Sequence, residues 1–429
     1  MIFDRFKKKV KPVEQEPATA TQPKKIVGVY GTKGKTVVTE LMSHLLNNSG
    51  IGAGFLSSTG TLVNREFGRS VFAEDVSKKE LRELLSYNTA PFFIIELKDS
   101  GLDNNLYDEF DFDGVIIPNT FNKPSVERLS IVTDLLKEGG VLLGNGIDIA
   151  LRSWFFENRE KIKKPVYLGM VNENDYEVVN KSFDNGIEYI FRENNYLTPN
   201  PASYSVINKL LSSTMAEALS GVSNLTRYTQ GFKTAKGRFE VIKSQGKTVV
   251  IDNARNPEDL EMSLKEISDL KPLGKKIITV LGLEGDYLNF AMPETSQKYS
   301  QLTILTPHGA NRFKNYDINS AVFTHNHSGK RFVAVERIGS QEEYFMLNKE
   351  NLKQRIQKVV SNGDAPFVTF DADDYTSRLN AIDLAFQYAE PGDIILLSGK
   401  GDDDYISFND VEYTWSEHEA IRLATKKPE

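Results

Sequence analysis

Apolar and amphipathic stretches alternate along this 429-residue chain from about Lys24 onward. The stretches Pro91–Leu97 and Phe112–Pro118 are almost wholly apolar, which is typical of strands buried on both faces of a sheet. The stretches Ser77–Tyr87 and Ser203–Leu219 instead repeat apolar residues every three or four positions, as amphipathic helices do. Apolar strands separated by helices predict parallel sheets covered on both faces, so the fold class is α/β.

The same pattern continues through both halves of the chain and predicts two doubly wound α/β domains, with the active site in the cleft between them. The first half adds a helix at Val37–Leu46 closed by Gly50, a helix at Ser125–Lys137, a strand at Gly140–Asn145 and hairpins around Tyr176–Val179 and Ile187–Phe191. From about Gly237 the predicted strands are Thr248–Asp252, Lys276–Leu281, Leu302–Thr306, Phe367–Phe370 and Asp393–Leu397, and the helices are Pro257–Leu270, Asn351–Val360 and Ser377–Ala389.

Composition narrows the class of protein. A chain of 429 residues is long enough for two or three domains, and its 40% hydrophobic and 26% charged residues are ordinary for a globular protein. The 52 basic and 59 acidic residues give a net charge of −7, which disfavours a general nucleic-acid binder. Because there are no cysteines, disulfides and thiolate chemistry are excluded. No apolar run approaches a membrane span, and we expect a cytoplasmic protein.

The first 24 residues are predicted to be a basic tail and linker. Met1–Lys11 places Ile2, Phe3, Phe6 and Val10 among five basic residues, and Lys11–Pro23 has the composition of a linker. Two interpretations of the tail stay open. It is either a frayed basic end, which we favour because eleven residues make a weak anchor, or a short helix lying on an anionic membrane.

A glycine loop stands between a predicted strand and a predicted helix. The segment Gly31–Thr36 (GTKGKT) follows the apolar Ile26–Val29 and precedes the helix. Glycines let backbone N–H groups approach an anion, Lys35 neutralises phosphate charge, and the Thr36 hydroxyl suits a magnesium shell. The general phosphate-loop pattern GxxxxGK[ST] requires a glycine where Val29 stands. The more compact form predicts a particular family of ATP-binding proteins.

Three polar residues lie where ligands bind in open α/β sheets. Glu96 and Asp252 each end an apolar strand, which suits a metal-binding and a ribose-binding carboxylate respectively. Arg238 lies in a turn at the predicted domain junction, where a guanidinium can bind phosphate in a bidentate manner. Taken singly, each has a plain structural alternative: a solvent-facing acid, a helix cap and an ordinary turn residue.

Two loops of the second half supply candidate substrate residues. Lys400 lies in Gly399–Gly401 after the last predicted strand, and Arg312 follows another strand and a turn, where it suits a substrate carboxylate. The acidic run Asp402–Asp404 is a metal-site candidate, but such runs are more often solvated surface.

These motifs together resemble the Mur ligase superfamily, ATP-dependent ligases of peptidoglycan precursors, folylpolyglutamate and related polymers. Gly31–Thr36 is close to the family's GT(N/K)GKT, and Ile95–Leu102 (IELKDSGL) aligns with EVSSHGL. Gly237–Glu240 (GRFE) matches GR-x-E, and Asp252–Pro257 (DNARNP) stands for DYAHNP. The segments Ser377–Tyr405 and Phe408–Ala424 resemble the tail typical of the muramyl-tripeptide synthetase branch. The likeness runs in order along the chain and is weak only at about 151–195.

The resemblance implies a fold and a set of site residues. The fold is a P-loop ATPase domain with a parallel-rich sheet at 25–235, followed by a Rossmann-like domain at 236–429. The implied nucleotide-binding residues are Gly31, Thr32, Lys33, Gly34, Lys35, Thr36, Asn208, Arg238 and Asp252, with Asn208 facing adenine. Thr36 and Glu96 are the implied metal ligands, the catalytic residues are Lys35, Glu96 and Lys123, and substrate is bound by Arg312 and Lys400.

Several family positions are changed in this chain. The N-terminal uridine-nucleotide-binding domain has no counterpart before the P-loop. The metal-binding histidine of TNxxxDHxD becomes Pro124 and the neighbouring aspartate becomes Lys123, for which we infer a charge-supplying role. No lysine stands at Ser130–Val132, where many members carry a carbamylated lysine, and GKGHE becomes Gly399–Asp403 (GKGDD). The chain thus retains more of the family's ATP-binding residues than of its acceptor-binding residues.

Two functions follow from the resemblance. The first is an ADP-forming ligase that joins a carboxylate to an amine through an acyl phosphate, on a cell-wall precursor or a related peptide, with ATP and Mg²⁺. The second is a degenerate family member that binds ATP and serves as a regulatory or scaffolding partner. The expected partners are small carboxylate and amine substrates, a muramyl-peptide precursor among them, and no nucleic acid.

Overall fold

The computed structural model describes residues 24–68, 76–120, 123–160, 162, 166–283, 291–307, 331–370, 376–408 and 411–426. Within them the chain builds two sheets flanked by helices, so the predicted α/β class is confirmed. No described helix is both long and apolar enough to cross a membrane. The basic tail and Arg312 lie outside the described residues.

The first sheet has eight described strands in the order β4-β3-β2-β5-β1-β6-β7-β8. The six neighbouring strands β2, β5, β1, β6, β7 and β8 pair in parallel, and β3 and β4 add an antiparallel edge. Because consecutive parallel strands need crossovers, helices cover both faces. The strands are β1 (Lys25–Val29), β2 (Ala53–Ser57), β3 (Gly60–Val63), β4 (Glu66–Gly68), β5 (Phe92–Glu96), β6 (Phe112–Ile117), β7 (Leu136–Asn145) and β8 (Tyr167–Val171).

Seven described helices accompany this sheet. The first and last of them pack on one face, and the apolar residues between the sheet and the others form a second core on the opposite face. The Ser77 capping box predicted from sequence is present. The helices are α1 (Lys35–Asn48), α2 (Lys78–Tyr87), α3 (Asp99–Asp103), α4 (Lys123–Glu127), α5 (Leu129–Asp134), α6 (Ile149–Asn158) and α7 (Tyr204–Ser220).

One local prediction was wrong, and a second is confirmed and extended by a third strand. The single helix predicted at Ser125–Lys137 is two short helices, α4 and α5, and β7 already begins at Leu136. The hairpins predicted in the irregular region are one antiparallel three-stranded sheet. Its strands are β9 (Tyr176–Ser182), β10 (Gly186–Phe191) and β11 (Asn194–Thr198), in the order β11-β10-β9.

The second sheet has the described order β12-β13-β18-β14-β15-β17-β16, parallel except for the β12–β13 pair. Cores lie on both of its faces. The strands are β12 (Glu240–Ser244), β13 (Lys247–Asp252), β14 (Ile277–Leu283), β15 (Leu302–Pro307), β16 (Phe332–Ile338), β17 (Ala365–Phe370) and β18 (Ile394–Ser398), and the hairpin β19 (Tyr405–Phe408) and β20 (Val411–Thr414) follows. The helices are α8 (Pro257–Leu270), α9 (Ala291–Tyr299), α10 (Gln341–Met346), α11 (Lys349–Ser361), α12 (Ser377–Tyr388) and α13 (Glu417–Ala424).

Candidate nucleotide and ligation site

The glycine loop turns sharply between β1 and α1. Gly31 and Gly34 have φ angles of 148° and 91°, in the left-handed region that favours glycine. A Cβ atom on Gly31 would lie 2.4 Å from the carbonyl oxygen of Asn119, so a side chain there has no room. The Lys35 ammonium folds back over the loop and donates to the Gly31 carbonyl at 2.7 Å. The loop therefore has the shape and charge of a phosphate cradle.

Asn119 braces this loop from the neighbouring strand. It follows β6, which pairs with β1, and its Oδ1 accepts from the Lys33 backbone N–H at 2.9 Å. Its amide also donates to the Lys33 carbonyl, and its own carbonyl accepts from the Thr32 N–H at 3.3 Å. Asn119 is not among the site residues predicted from the sequence. Its position just after a strand beside β1 was the available indication.

Glu96 lies beside the loop because β5 pairs with β1, with Glu96 opposite Val29. Its Oε2 accepts from the Thr36 hydroxyl at 3.0 Å. Ser58 donates its backbone N–H and its hydroxyl to the two carboxylate oxygens, each at 2.8 Å. Burial acts to raise the pKa of Glu96, but the Lys35 ammonium and other donors hold it below its ordinary value. The carboxylate is therefore ionised at neutral pH.

The oxygen atoms of Thr36 and Glu96 fit a magnesium ion. Hydroxyl and carboxylate oxygens are the ligands that this cation prefers, and it usually takes the rest of its shell from water and substrate phosphates. Among the described residues, no three histidine, aspartate or glutamate side chains meet as a closed metal site. The predicted metal ligands thus lie in contact and leave most of a coordination shell for the nucleotide.

A second acid, Glu40, lies on α1 near this carboxylate. Its Oε1 accepts from the Ser57 hydroxyl at 3.0 Å and also from Thr59. The turn between β2 and β3 therefore places Ser58 on Glu96 and its two neighbours on Glu40. Burial raises the pKa of Glu40, and the nearby Glu96 charge adds to the rise. Sequence reasoning missed this turn because nothing in its composition marks it as a binding loop.

Asp252 ends β13 in the second domain and is almost fully buried. Its Oδ2 accepts from the Lys33 ammonium at 2.8 Å, and its Oδ1 accepts from the Phe239 backbone N–H at 3.0 Å. Lys33 also donates to the Ser263 hydroxyl at 2.7 Å, and Ser263 in turn donates to Asp252. Two residues that were each predicted to bind nucleotide therefore bind each other across the two domains.

Arg238 lies between the two halves of the site. Its Nη1 pairs with Oδ1 of Asp402, in the loop after β18. Burial opposes the guanidinium charge, but Asp402 and Glu96 hold the pKa of Arg238 above its ordinary value. The arginine predicted to hold phosphate thus lies within electrostatic reach of Glu96, the carboxylate predicted to bind metal, in the other domain.

Asn208 lies on α7 against the glycine loop. A Cβ atom on Gly34 would come within 3.3 Å of its Oδ1. Its side-chain nitrogen is buried and has no hydrogen-bond partner in the described part of the chain. A small cavity beside it is lined by Lys209, Tyr204 and Phe232, among others. An unpartnered amide donor beside the phosphate cradle fits the predicted contact with a nucleobase.

The remaining predicted residues are less favourably placed or lie outside the description. Lys400 is 2% exposed, and its ammonium donates to the Tyr405 carbonyl at 2.8 Å and to Asp403 at 3.3 Å. It therefore contacts its own loop rather than the cleft. Lys123 begins α4, with no description of its side chain, and Arg312 is outside the described residues. The roles proposed for these three residues remain predictions.

Comparisons with known proteins find ligases that are similar to this chain. Residues 237–401 match the family described as Mur ligase, glutamate ligase domain. The chain is 25% identical over 422 residues to the UDP-N-acetylmuramoyl-L-alanyl-D-glutamate–2,6-diaminopimelate ligase of Prochlorococcus marinus, covering 90% of this chain and 74% of that one. The ligase of the same name from Caldanaerobacter subterraneus is 22% identical over 419 residues, covering 92% and 77%. The chain is therefore a Mur ligase homologue with a Mur ligase domain at residues 237–401.

Solved structures confirm the fold of this Mur ligase homologue. A UDP-N-acetylmuramoyl-L-alanyl-D-glutamate–2,6-diaminopimelate ligase superposes with a TM-score of 0.54 at 18% identity, covering 94% of this chain and 79% of that one. The folylpolyglutamate synthase of Thermotoga maritima superposes with a TM-score of 0.56 at 17% identity, covering 88% and 86%. The predicted P-loop domain followed by a Rossmann-like domain is thereby confirmed.

Proposed function

We propose that this Mur ligase homologue is an ATP-dependent, ADP-forming ligase that joins a carboxylate to an amine. The observation that carries the proposal is the convergence of Lys35, Thr36 and Glu96 on one side of the cleft with Arg238 and Asp252 on the other. That arrangement gathers phosphate-binding cations, a magnesium-type oxygen pair and a strand-end acid in one place. The relatives named above are ligases, which supports the same class of reaction.

The reaction proceeds in two balanced steps. A carboxylate oxygen of the first substrate attacks the γ-phosphorus of ATP, the bond to the β-γ bridging oxygen breaks, and ADP leaves with that electron pair. The amine nitrogen then attacks the acyl carbon of the resulting acyl phosphate. The carbon–oxygen bond to phosphate breaks and inorganic phosphate leaves with that electron pair. The nitrogen gives one proton to water before the attack, which frees its lone pair, and a second proton to water as the amide forms.

The residues of this chain contribute mainly position and charge to those steps. The Gly31–Lys35 backbone amides and the Lys35 ammonium hold the phosphates. Thr36 and Glu96 would hold magnesium, which when bound neutralises phosphate charge. Arg238 neutralises charge on the transferring phosphoryl group, and Asn208 donates to the base.

The substrate we propose is a peptidoglycan precursor or a related peptide. This follows from the names of the relatives, which add 2,6-diaminopimelate to a UDP-N-acetylmuramoyl dipeptide. The incoming amine stays open because the positions that contact it in the family are changed here. We also propose a cytoplasmic enzyme whose basic tail makes at most weak contact with anionic membranes.

Purified protein with Mg²⁺ and ATP, incubated with a matrix of muramyl peptides and amino acids, tests the proposal. Both uridine-linked and uridine-free peptides belong in the matrix, with diaminopimelate, lysine, alanine and glutamate as amines. We expect ADP release that depends on one carboxylate, and an acyl phosphate that hydroxylamine traps as a hydroxamate. ATP binding without turnover across the matrix would contradict the proposal and favour the scaffolding function.

A further inference from the structure

The loop after β18 is fixed in place by charged side chains. Arg255 donates from Nη2 to both oxygens of Asp403, at 2.7 and 2.8 Å, and from Nε to the Gly399 carbonyl at 3.0 Å. Lys400 donates to the same carboxylate. Because Asp403 is held from two sides, the neighbouring Asp402 has a defined position. Asp402 therefore differs from an acid in a solvated acidic run.

Asp402 lies tightly against the turn that carries Arg238. Gly237 has a φ of 65°, and a Cβ atom on it would lie 2.2 Å from the Gly401 carbonyl carbon and 2.4 Å from the Asp402 nitrogen. A side chain at Gly237 would push the loop away. The glycine thus lets the Asp402 carboxylate reach the guanidinium, and both side chains are only about one-sixth exposed, at 15% and 16%.

In this ion pair Asp402 binds the Arg238 guanidinium, which the proposed reaction needs for binding phosphate. Arg238 is expected to bind the transferring phosphoryl group, and a guanidinium that binds phosphate in a bidentate manner has fewer donors left for a carboxylate. Phosphate carries more negative charge than a carboxylate, so it competes well for the arginine. When ATP takes Arg238, the Asp402 carboxylate loses its counter-charge while the loop still holds it beside the reacting phosphate.

An ammonium group is the natural replacement partner for that carboxylate. The second step of the reaction brings an amine, protonated at neutral pH, to the acyl phosphate formed at the same place. We propose that Asp402 binds the ammonium group of the incoming amine after the phosphates of ATP have taken Arg238 from it. This inference rests on the proposed ligase function and names the residue that orients the nucleophile.

The exchange makes the two substrates dependent on each other. ATP binding must first break the Arg238–Asp402 pair, which lowers the affinity for ATP. The same event creates the amine site, so ATP and amine bind with positive cooperativity. Removing the Asp402 carboxylate should therefore raise the affinity for ATP and lower the affinity for the amine. A residue that only supported the loop would weaken both or neither.

Steady-state kinetics on Asp402→Asn, with Asp404→Asn as the matched control, tests this inference. Asp404 is the exposed acid two residues along the same loop. In Asp402→Asn we expect the KM for ATP to fall about threefold and the KM for the amine to rise about tenfold, because a charge-assisted contact is lost. A fluorescent ATP analogue, titrated without the other substrates, should also bind the variant more tightly.

Each alternative outcome has a distinct meaning. If the wild-type protein releases no ADP with any substrate pair, the proposed ligase function fails and the amine site fails with it. If the wild-type protein turns over and Asp402→Asn leaves the amine KM unchanged, or raises both KM values together, this inference alone is overturned. Equal effects in Asp404→Asn would also overturn it. Thermal unfolding of each variant checks that the fold is retained.

Discussion

The carboxylates at the ends of β5 and β13 lie in equivalent places in the two sheets but have different partners. Glu96 accepts from the hydroxyls of Thr36 and Ser58 and from one backbone N–H. Asp252 accepts from the Lys33 ammonium, from Ser263 and from one backbone N–H. Neutral hydroxyls yield easily to a metal ion, since they bring no positive charge of their own to the carboxylate. A lysine already supplies the compensating charge at Asp252.

The difference shows that a strand-end acid can serve either a ligand or the protein itself. At Glu96 the hydrogen-bond donors are uncharged, and nearby cations such as Lys35 keep the carboxylate ionised. At Asp252 the charge joins the two domains through Lys33, which is 13% exposed. A nucleotide that uses Asp252 must share or replace that contact. The end of a strand therefore predicts where such an acid lies, but it does not predict which groups the acid binds.

The largest expected effect comes from removing the charge of Glu96. Glu96→Gln keeps the shape of the side chain but takes away the anion that would hold magnesium against the phosphates. We expect kcat for ADP release to fall about 100-fold or more. Glu40→Gln, on the neighbouring helix, is the matched control and should change kcat only about threefold or less. Equal losses in the two variants would contradict the assignment of the metal-binding carboxylate.

The next effect concerns the contact between the domains. In a double-mutant cycle of Lys33→Met and Asp252→Asn, we expect a coupling free energy of about 1–3 kcal/mol in urea unfolding without nucleotide. Both single variants should be destabilised because each leaves a buried charge without its counter-charge. Additive single effects would show that the two side chains do not stabilise the domain pair through each other.

A third buried charge extends the comparison. Lys209 donates to the Leu197 carbonyl at 3.1 Å, and burial alone lowers its pKa to about 7. The unfolded chain, with an ordinary lysine pKa, binds more protons between about pH 7 and 10.5, so stability rises with pH across that window. We expect Lys209→Met to abolish a rise of about 1–3 kcal/mol in the free energy of unfolding. Lys265→Met, at an exposed lysine, should leave the rise of stability with pH intact. If Lys265→Met also abolishes that rise, the assignment of the rise to Lys209 is wrong.

The smallest effect tests how Glu96 is oriented. Ser58→Ala removes the hydroxyl donor to one carboxylate oxygen and keeps the backbone N–H donor to the other. We expect the magnesium concentration for half-maximal ADP release to rise about threefold to tenfold, the usual scale for a residue that orients a metal ligand. Ser57→Ala, which loses a contact to Glu40 instead, should leave that concentration unchanged. A larger shift in Ser57→Ala would reverse the roles of the two serines.

Local rules predicted the first domain's half of the site. The turn at Gly31–Thr36 needs glycine, the phosphate cradle needs Lys35, and an acid ending an adjacent parallel strand must lie nearby. The contact between Thr36 and Glu96 follows from those requirements. The role of Ser58 was not predicted because it depends on the position of a hairpin turn relative to β5. Hydrophobic periodicity carries no information about that position.

The second half depended on contacts between distant segments. Lys33 and Asp252 are separated by 219 positions and meet only through the packing of two domains. The pair of Arg238 with Asp402 likewise joins two loops that no local pattern connects. The predicted Ser125–Lys137 helix also ends early for this reason, because β7 takes Leu136 onward into the sheet beside β6. Tertiary pairing here overrides a helical sequence pattern.

The pairing of β1 with β5 has a consequence for insertions and deletions. Side chains alternate between the faces of a strand, so a shift of one residue in β5 would turn Glu96 toward the opposite face. Ile95 or Leu97 would then take its place beside Thr36, and a carboxylate would enter an apolar core. The magnesium-type oxygen pair is thus encoded in the register of two strands as much as in the identity of two residues. A single-residue deletion within Phe92–Glu96 is expected to be more damaging than any one substitution there.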